Sequence, residues 1–207
     1  MAVGGGEMLP LAQIEQGIKE AVHALGRPYI AEVKTYAGEF DFNDDADFAA
    51  VVKRFPAVWT TFDGSGKPER MGARKYKIPL TFSVMVGARS IRTEETSRHG
   101  VEVNGQMVEV GTFQLVNDVI GAVLGLSFVK SMRPLELGPL RTIFNTKTRS
   151  EAVSVLAQSF STDVTICVPD READAAQYIE RINIDYVLQP QDDVPDAADL
   201  VQRSTED

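Results

Sequence analysis

Residues 75–89 read KYKIPLTFSVMVGAR and carry the clearest secondary-structure pattern in the sequence. Apolar side chains occupy the even positions from Tyr76 to Ala88, whereas most odd positions carry Lys, Thr, Ser or Arg. Strict alternation over this length predicts a long β-strand with one buried face and one wet face. Pro79 has no N–H to donate to a neighbouring strand, so we expect an edge side or a bulge near the start of this strand.

Other segments on either side also have strand patterns. They alternate, or form short apolar runs bounded by turn residues, as at Asp63-Gly64-Ser65-Gly66. The predicted strands are 29–37, 55–62, 135–144 and 152–168. Asn104-Gly105, inside a polar loop at 90–111, favours a small additional hairpin.

Helical spacing is present in three places. Residues 11–25 place apolar side chains three and four positions apart, and Gly26 ends that pattern. A short apolar turn at 48–52 follows several acids, which favour a helix N-terminus. A further helix is predicted from Thr112, with one apolar face made of Phe113, Val116, Ile120, Val123 and Leu124. The order of elements predicts an α+β fold with a largely antiparallel sheet flanked by helices.

Charge divides the chain into two parts. Residues 169–207 carry eleven acids and three bases, which accounts for −8 of the total charge of −9. We therefore predict a domain at 1–168 and an acidic C-terminal arm at 169–207. The arm contains one more apolar element, at 178–188, which we expect to dock on a neighbouring subunit or a neck protein. A solubilising tail that contacts nothing is the other interpretation. The predicted contact residues are Tyr178, Ile182, Ile184, Tyr186 and Leu188.

Basic residues are concentrated between positions 67 and 98, where eight bases stand against three acids. A solvated strand face is one interpretation, and a docking surface for an acidic partner chain or for passing DNA is the other. The candidate interface residues are Lys67, Arg70, Arg74, Lys75, Lys77, Arg89 and Arg92. Few aromatic residues are interleaved with these bases, so sequence-specific nucleic-acid recognition is not expected.

The sequence carries no recognisable catalytic or cofactor motif. His23, His99 and Cys167 are widely separated and lack metal-ligand spacing, so we expect no metal site. The segment Gly64-Ser65-Gly66-Lys67-Pro68 lacks the first glycine and the final Ser or Thr of a phosphate-binding loop. We expect no enzyme activity and no cofactor. Without a signal peptide or a membrane span, folding in a cytoplasm is expected.

Several short motifs occur in an order that resembles a known family. They are Pro28–Phe40, Phe55-Pro56-Ala57-Val58, Phe62-Asp63-Gly64, Ala88-Arg89-Ser90, Arg92-Thr93-Glu94-Glu95, Gly111–Leu115 and Phe160-Ser161-Thr162. Over roughly residues 8–168, this succession resembles the tail-terminator (tail-completion) proteins of Mu-like contractile-tailed phages. The acidic extension after Val168 departs from that family's pattern.

The resemblance implies a structural protein of the virion. Such proteins form a hexameric ring at the head-proximal end of the tail, end tube and sheath growth, and meet the neck or head-completion proteins. The expected partners are copies of the chain itself, tube and sheath proteins and a neck protein, with non-specific contact to passing DNA and none to membrane. The location implied is the tail–neck junction, after assembly in the host cytoplasm. The alternatives are another head–tail joining protein and a nucleic-acid-binding module.

Overall fold

The fold is described from a computed structural model, which covers residues 9–40, 45–147, 151–168, 181–186 and 197–202. These residues form helices α1 (Leu11–Ala24), α2 (Asp45–Val52), α3 (Glu94–His99) and α4 (Thr112–Val123). The strands are β1 (Glu32–Thr35), β2 (Ala57–Ser65), β3 (Glu69–Arg70), β4 (Lys75–Ser90), β5 (Val101–Val103), β6 (Gln106–Glu109), β7 (Glu136–Lys147), β8 (Ala152–Cys167), β9 (Arg181–Tyr186) and β10 (Ala197–Gln202). The chain divides into two compact units, Met1–Cys167 and Val168–Asp207.

The first unit is built on one twisted sheet with the order β1-β2-β4-β8-β7, and β3 lies beside the start of β4. Neighbouring strands are antiparallel except for β1 and β2, which are parallel. The long strand predicted from the alternation at 75–89 is β4, and it pairs with β8 along its whole length. The predicted wet face is wrong for the middle of this strand, where Met85 and Gly87 at odd positions are buried because a second core covers that side of the sheet. The predicted α+β fold with a largely antiparallel sheet is confirmed.

Helices α1 and α4 cover one face of the sheet, which we call the helix side. Ile14, Ile18 and Val22 point from α1 into this core, as the spacing of three and four predicts. The even residues of β4 from Ile78 to Ala88 meet them from the sheet, and Phe82 and Val84 among them are fully buried. Burial of a large apolar side chain contributes about 1.5–3 kcal/mol, so this layer supplies most of the stability.

A smaller core lies on the opposite side of the sheet. It contains Trp59 and Phe55, together with Val51 and Val52 from the end of α2. Phe40 packs edge-on against Trp59, with ring centroids 5.1 Å apart, and lies 5.6 Å from Phe144 on β7. These aromatic contacts cover only one end of this side of the sheet and leave the other end open to a cleft.

The structure corrects the expectation that β4 has an edge side. β4 is an interior strand between β2 and β8, and Pro79 pairs with Asp163 of β8. The carbonyl of Pro79 accepts a hydrogen bond from the Gly66 amide (2.9 Å) just beyond the end of β2. The nitrogen of Pro79 therefore faces the same side, between the end of β2 and the start of β3, where no strand pairs with β4. The bulge lies in β2, between Phe62 and Gly64.

Two predictions about the helices need correction. In α4, Val116 and Val123 are buried as predicted, but Phe113 and Leu124 are exposed, because the helix turns Leu115, Asp118 and Val119 inward instead. The polar loop at 90–111 contains the predicted Asn104-Gly105 hairpin, β5–β6, but also α3. That helix depends on a capping box between Thr93 and Thr96, and its six residues are too few to show a hydrophobic period.

In the second unit, β9 and β10 form an antiparallel pair, with Ile184 opposite Asp199. Three of the predicted arm residues, Ile182, Ile184 and Tyr186, occupy alternate positions of β9. Tyr178 and Leu188 lie outside the described residues.

Candidate interaction surfaces

Three of the seven predicted basic residues are held by acids within the first unit. Lys77 Nζ lies 3.0 Å from Asp163 Oδ2, across the β4–β8 ladder. At the far end of β4, Arg89 Nη1 contacts Glu151 Oε1 at 2.9 Å. These pairings offset much of the charge of the two bases.

Arg92 has a similar environment. Its Nε lies 3.3 Å from Oε1 of Glu109, and the other oxygen of that carboxylate accepts a hydrogen bond from Ser90 Oγ at 2.7 Å. Together these bonds tie the end of β4 to β6. Lys77, Arg89 and Arg92 therefore each have an acidic partner within the first unit.

The other four bases lie on a protruding loop and hairpin, residues 66–75, which we call the basic hairpin. All ten of its residues are exposed. Arg70 donates hydrogen bonds to the carbonyls of Gly72 (3.0 Å) and Ala73 (3.3 Å), which stabilise the turn. Among the described residues, no ion pair engages Lys67 or Lys75. Arg74 is the fourth base of the basic hairpin.

The seven bases therefore do not form one patch. Lys75 and Arg89 lie at opposite ends of β4, fourteen residues apart, which corresponds to roughly 45 Å of extended strand. The structure brings Lys67, Arg70, Arg74 and Lys75 together on the basic hairpin and places Arg89 and Arg92 at the other end of the sheet.

The free edge of β7 is a second surface, and the sequence patterns did not reveal it. Within the described part of the chain, β7 pairs only with β8, so its outer main-chain groups have no strand partner. Leu137, Leu140 and Ile143 on this strand are exposed at 51%, 50% and 45%. The available signal was the density of large apolar residues in a strand that contains Pro139, a residue typical of edge strands.

A cleft of about 210 Å³ lies beside the opposite edge strand, β1. Its wall on α1 consists of Gln16, Lys19, Glu20 and His23, and its wall on β1 is Val33. Lys19 donates a hydrogen bond to the Thr35 hydroxyl (2.9 Å), which links α1 to the end of β1. The cleft therefore lies on the helix side of the sheet, between α1 and β1.

A larger cleft of about 500 Å³ lies on the side of the sheet away from α1 and α4. Tyr36 and Phe40 form one wall, and Ser83 and Ser159 form part of the floor, with their hydroxyl oxygens 3.3 Å apart. Ser83 also donates a hydrogen bond to Asp63. A serine nucleophile needs an oriented base, and the described lining residues include no histidine, lysine or cysteine.

The histidines and the cysteine are not gathered into a site. His23 lines the smaller cleft, His99 packs edge-on against Phe113 with centroids 5.0 Å apart, and Cys167 is exposed at the end of β8. Across the described ranges, no cluster of three or more His, Cys, Asp or Glu residues could bind a metal ion. Nor does any helix among those residues have the length and apolar character to cross a membrane.

Comparison with known families identifies a family for this chain. The profile of the bacteriophage Mu Gp37 family matches residues 10–165, three quarters of the chain. The chain belongs to that family. No curated protein sequence matches it significantly. Gp37-family membership identifies the chain as a structural protein of Mu-like phages and a component of the virion, from a family that is not one of enzymes.

The Gp37 match runs from the start of α1 almost to the end of β8. The basic hairpin, the β7 edge and both clefts therefore lie within the part of the chain that defines the family. The acidic segment 169–207 lies outside it. Contacts made by that segment would be additional to those of the shared fold.

Proposed function

We propose that this Gp37-family protein is a tail terminator, which forms a hexameric ring at the head-proximal end of a contractile tail. The ring ends the growth of tube and sheath and joins the tail to a neck protein. The observation that carries the proposal is the family match over the whole folded body. The number of subunits follows from the resemblance to tail terminators alone.

The architecture supports self-association in a ring. The sheet has two different free edges, a long apolar one at β7 and a short one at β1. When one surface of a subunit binds a different surface of the next, the contact is heterologous, and it closes into a ring if the rotation divides the circle. Two unlike edges on opposite sides of one sheet favour a contact of this kind.

The basic hairpin and the acidic C-terminal segment are the proposed contacts with other components of the particle. Lys67 and Lys75 would meet acidic groups of a tube, sheath or neck protein, or the phosphates of passing DNA. DNA contact of this kind is weak, sensitive to salt and independent of sequence, because phosphate carries no base information. The arm would bind a neighbouring subunit or the neck.

Deletion of the gene from its phage tests the role, with tails examined by electron microscopy. A terminator is required to stop growth, so we expect tubes and sheaths of uncontrolled length and no joined heads. The chain supplied in trans should restore normal particles. Tails of normal length with unattached heads would instead identify a neck protein. Normal, infectious particles would reject both roles.

A further inference from the structure

The two edges of the sheet are protected to different degrees. Edge strands in stable monomers are usually short, charged or covered, because unpaired main-chain groups invite pairing with another chain. β1 has four residues and carries Glu32 and Lys34, whereas β7 has twelve. With Leu137, Leu140 and Ile143 about half exposed, β7 has the features of an edge that another strand covers.

The apolar side chains of β7 have a defined direction. Leu137 lies opposite Phe160 of β8, and Leu140 lies opposite Gln158. Residues directly opposite each other in an antiparallel pair project from the same face. Phe160 belongs to the core under α1 and α4, so Leu137 and Leu140 project from the helix side of the sheet, beyond the cover that these helices provide.

A cleft lies beside the other edge of the same sheet, on the same side as these two leucines. Val33 packs against the helix-side core, and it faces α1 across the cleft of about 210 Å³. That space corresponds to about seven water volumes, more than the four side-chain carbons of one leucine require. Gln16, Lys19 and Glu20 line it, and the aliphatic stems of long polar side chains bury well against apolar groups.

We propose that β7 of one copy adds to β1 of a second copy, with Leu137 and Leu140 directed at the α1–β1 cleft of that copy. The inference rests on the proposed ring and identifies its subunit contact. The same contact, repeated around the ring, joins the sheets of successive subunits edge to edge.

Strand direction and strand length support this pairing. β7 is antiparallel to β8, β8 to β4 and β4 to β2, while β1 is parallel to β2, so β7 and β1 run in opposite directions. A rotation about an axis along the strands preserves this relation, so the pairing between copies is antiparallel. Register shifts at Leu137/Leu140 and Thr142/Phe144 divide β7 into short regular segments, which match the four-residue β1.

Disulfide trapping tests the geometry in the full-length chain. The background carries Cys167→Ser, because Cys167 is the only cysteine and is exposed. Leu140→Cys and His23→Cys together should give a ladder of covalent oligomers on oxidation, since each copy then bonds to the next. Neither single variant should form a ladder. Dimers formed by Leu140→Cys alone would mean that β7 pairs with β7, and they would overturn the proposal.

Charge introduced at the same edge tests the energetics. Leu137→Asp with Leu140→Asp should weaken self-association at least about 100-fold, measured by light scattering, because the burial of two leucines is lost. Ile91→Asp with Val108→Asp is the matched control, since both residues are exposed and lie outside the proposed contact and the basic hairpin. Thermal unfolding of both variants should resemble that of the parent.

The outcomes separate this contact from the ring itself. Intact rings in the Leu137→Asp, Leu140→Asp variant would overturn the β7–β1 contact and leave the terminator role standing. A parent protein that remains monomeric at high concentration, both alone and with tube protein, would reject the ring and this contact together.

Discussion

Tyr29 donates its phenolic hydrogen to Oδ2 of Asp118, a residue 89 positions later in the chain. Arg27 Nη2 lies 3.1 Å from the other carboxylate oxygen, and Gln114 donates to that same oxygen at 3.2 Å. Asp118 is buried on α4, so its charge depends on close partners such as these. The network attaches the loop between α1 and β1 to α4, and thereby fixes the helix layer beside the α1–β1 cleft.

Removal of the Tyr29 hydroxyl should destabilise the protein. Tyr29→Phe leaves Oδ2 of a buried carboxylate without its donor, and hydrogen bonds to charged groups contribute about 1.5–3 kcal/mol. We expect a loss of that order in the free energy of unfolding, measured by urea denaturation. Tyr76→Phe is the control, because the described residues include no hydrogen-bond partner for that hydroxyl. Equal losses in both variants would show that the Tyr29 bond contributes nothing specific.

The same pair predicts a response to alkaline pH. Burial, and then the hydrogen bond and charge of Asp118, raise the pKa of Tyr29 above its ordinary value of 10.0. The folded state therefore holds this proton more tightly than the unfolded state. The resulting stability is complete below pH 10 and is lost as the pH rises through the raised pKa. The stability difference between parent and Tyr29→Phe should shrink above pH 10; a constant difference up to pH 11.5 would contradict the coupling.

Two glycines provide a matched pair of stability tests. A Cβ on Gly111 would lie 2.2 Å from the Arg98 carbonyl oxygen and 2.4 Å from the Gly100 nitrogen, which are backbone atoms that cannot rotate away. Gly111→Ala should therefore cost about 1–3 kcal/mol. Gly121 lies in α4 with open space around it, so Gly121→Ala should stabilise by roughly 1 kcal/mol. Thermal melts of the two variants should shift in opposite directions.

Loss of charge on the basic hairpin should affect assembly and not folding. Lys67→Ser with Lys75→Ser removes two exposed charges, and exposed charges contribute little to stability. We expect unchanged thermal unfolding but fewer completed tails in a complementation assay. Lys53→Ser with Lys130→Ser removes the same charge from exposed positions elsewhere. If both variants complete tails normally, the basic hairpin is only a solvated surface.

Removal of residues 169–207 should leave a folded body with weaker assembly. The first unit has its own two-sided core, so the truncated chain should unfold at nearly the parental temperature. Ring stability or attachment to heads should fall, because an arm that binds a neighbour contributes to that contact. Infectious particles in normal number from the truncated gene would remove the arm from the assembly mechanism.

Much of the framework follows from local patterns in the sequence. The alternation at 75–89 determined β4, and the spacing of Ile14, Ile18 and Val22 determined the buried stripe of α1, because each pattern reflects the repeat of its own element. The order of elements determined the α+β class. The charge count distinguishes the acidic residues 169–207 from the nearly neutral residues 1–168.

The remaining features depend on residues that are distant in the sequence. Asp118 lies on the buried face of α4, where it accepts a hydrogen bond from Tyr29. Lys77 is neutralised by Asp163, which lies on a different strand. Pro79 predicts an edge side or a bulge near the start of β4, whereas β4 is an interior strand and Pro79 lies just beyond the last residue that pairs with β2. Local periodicity specifies which face of an element is apolar. The tertiary structure decides which strand lies at an edge and which charged side chain remains without an ion-pair partner, because both depend on pairing between residues distant in the sequence.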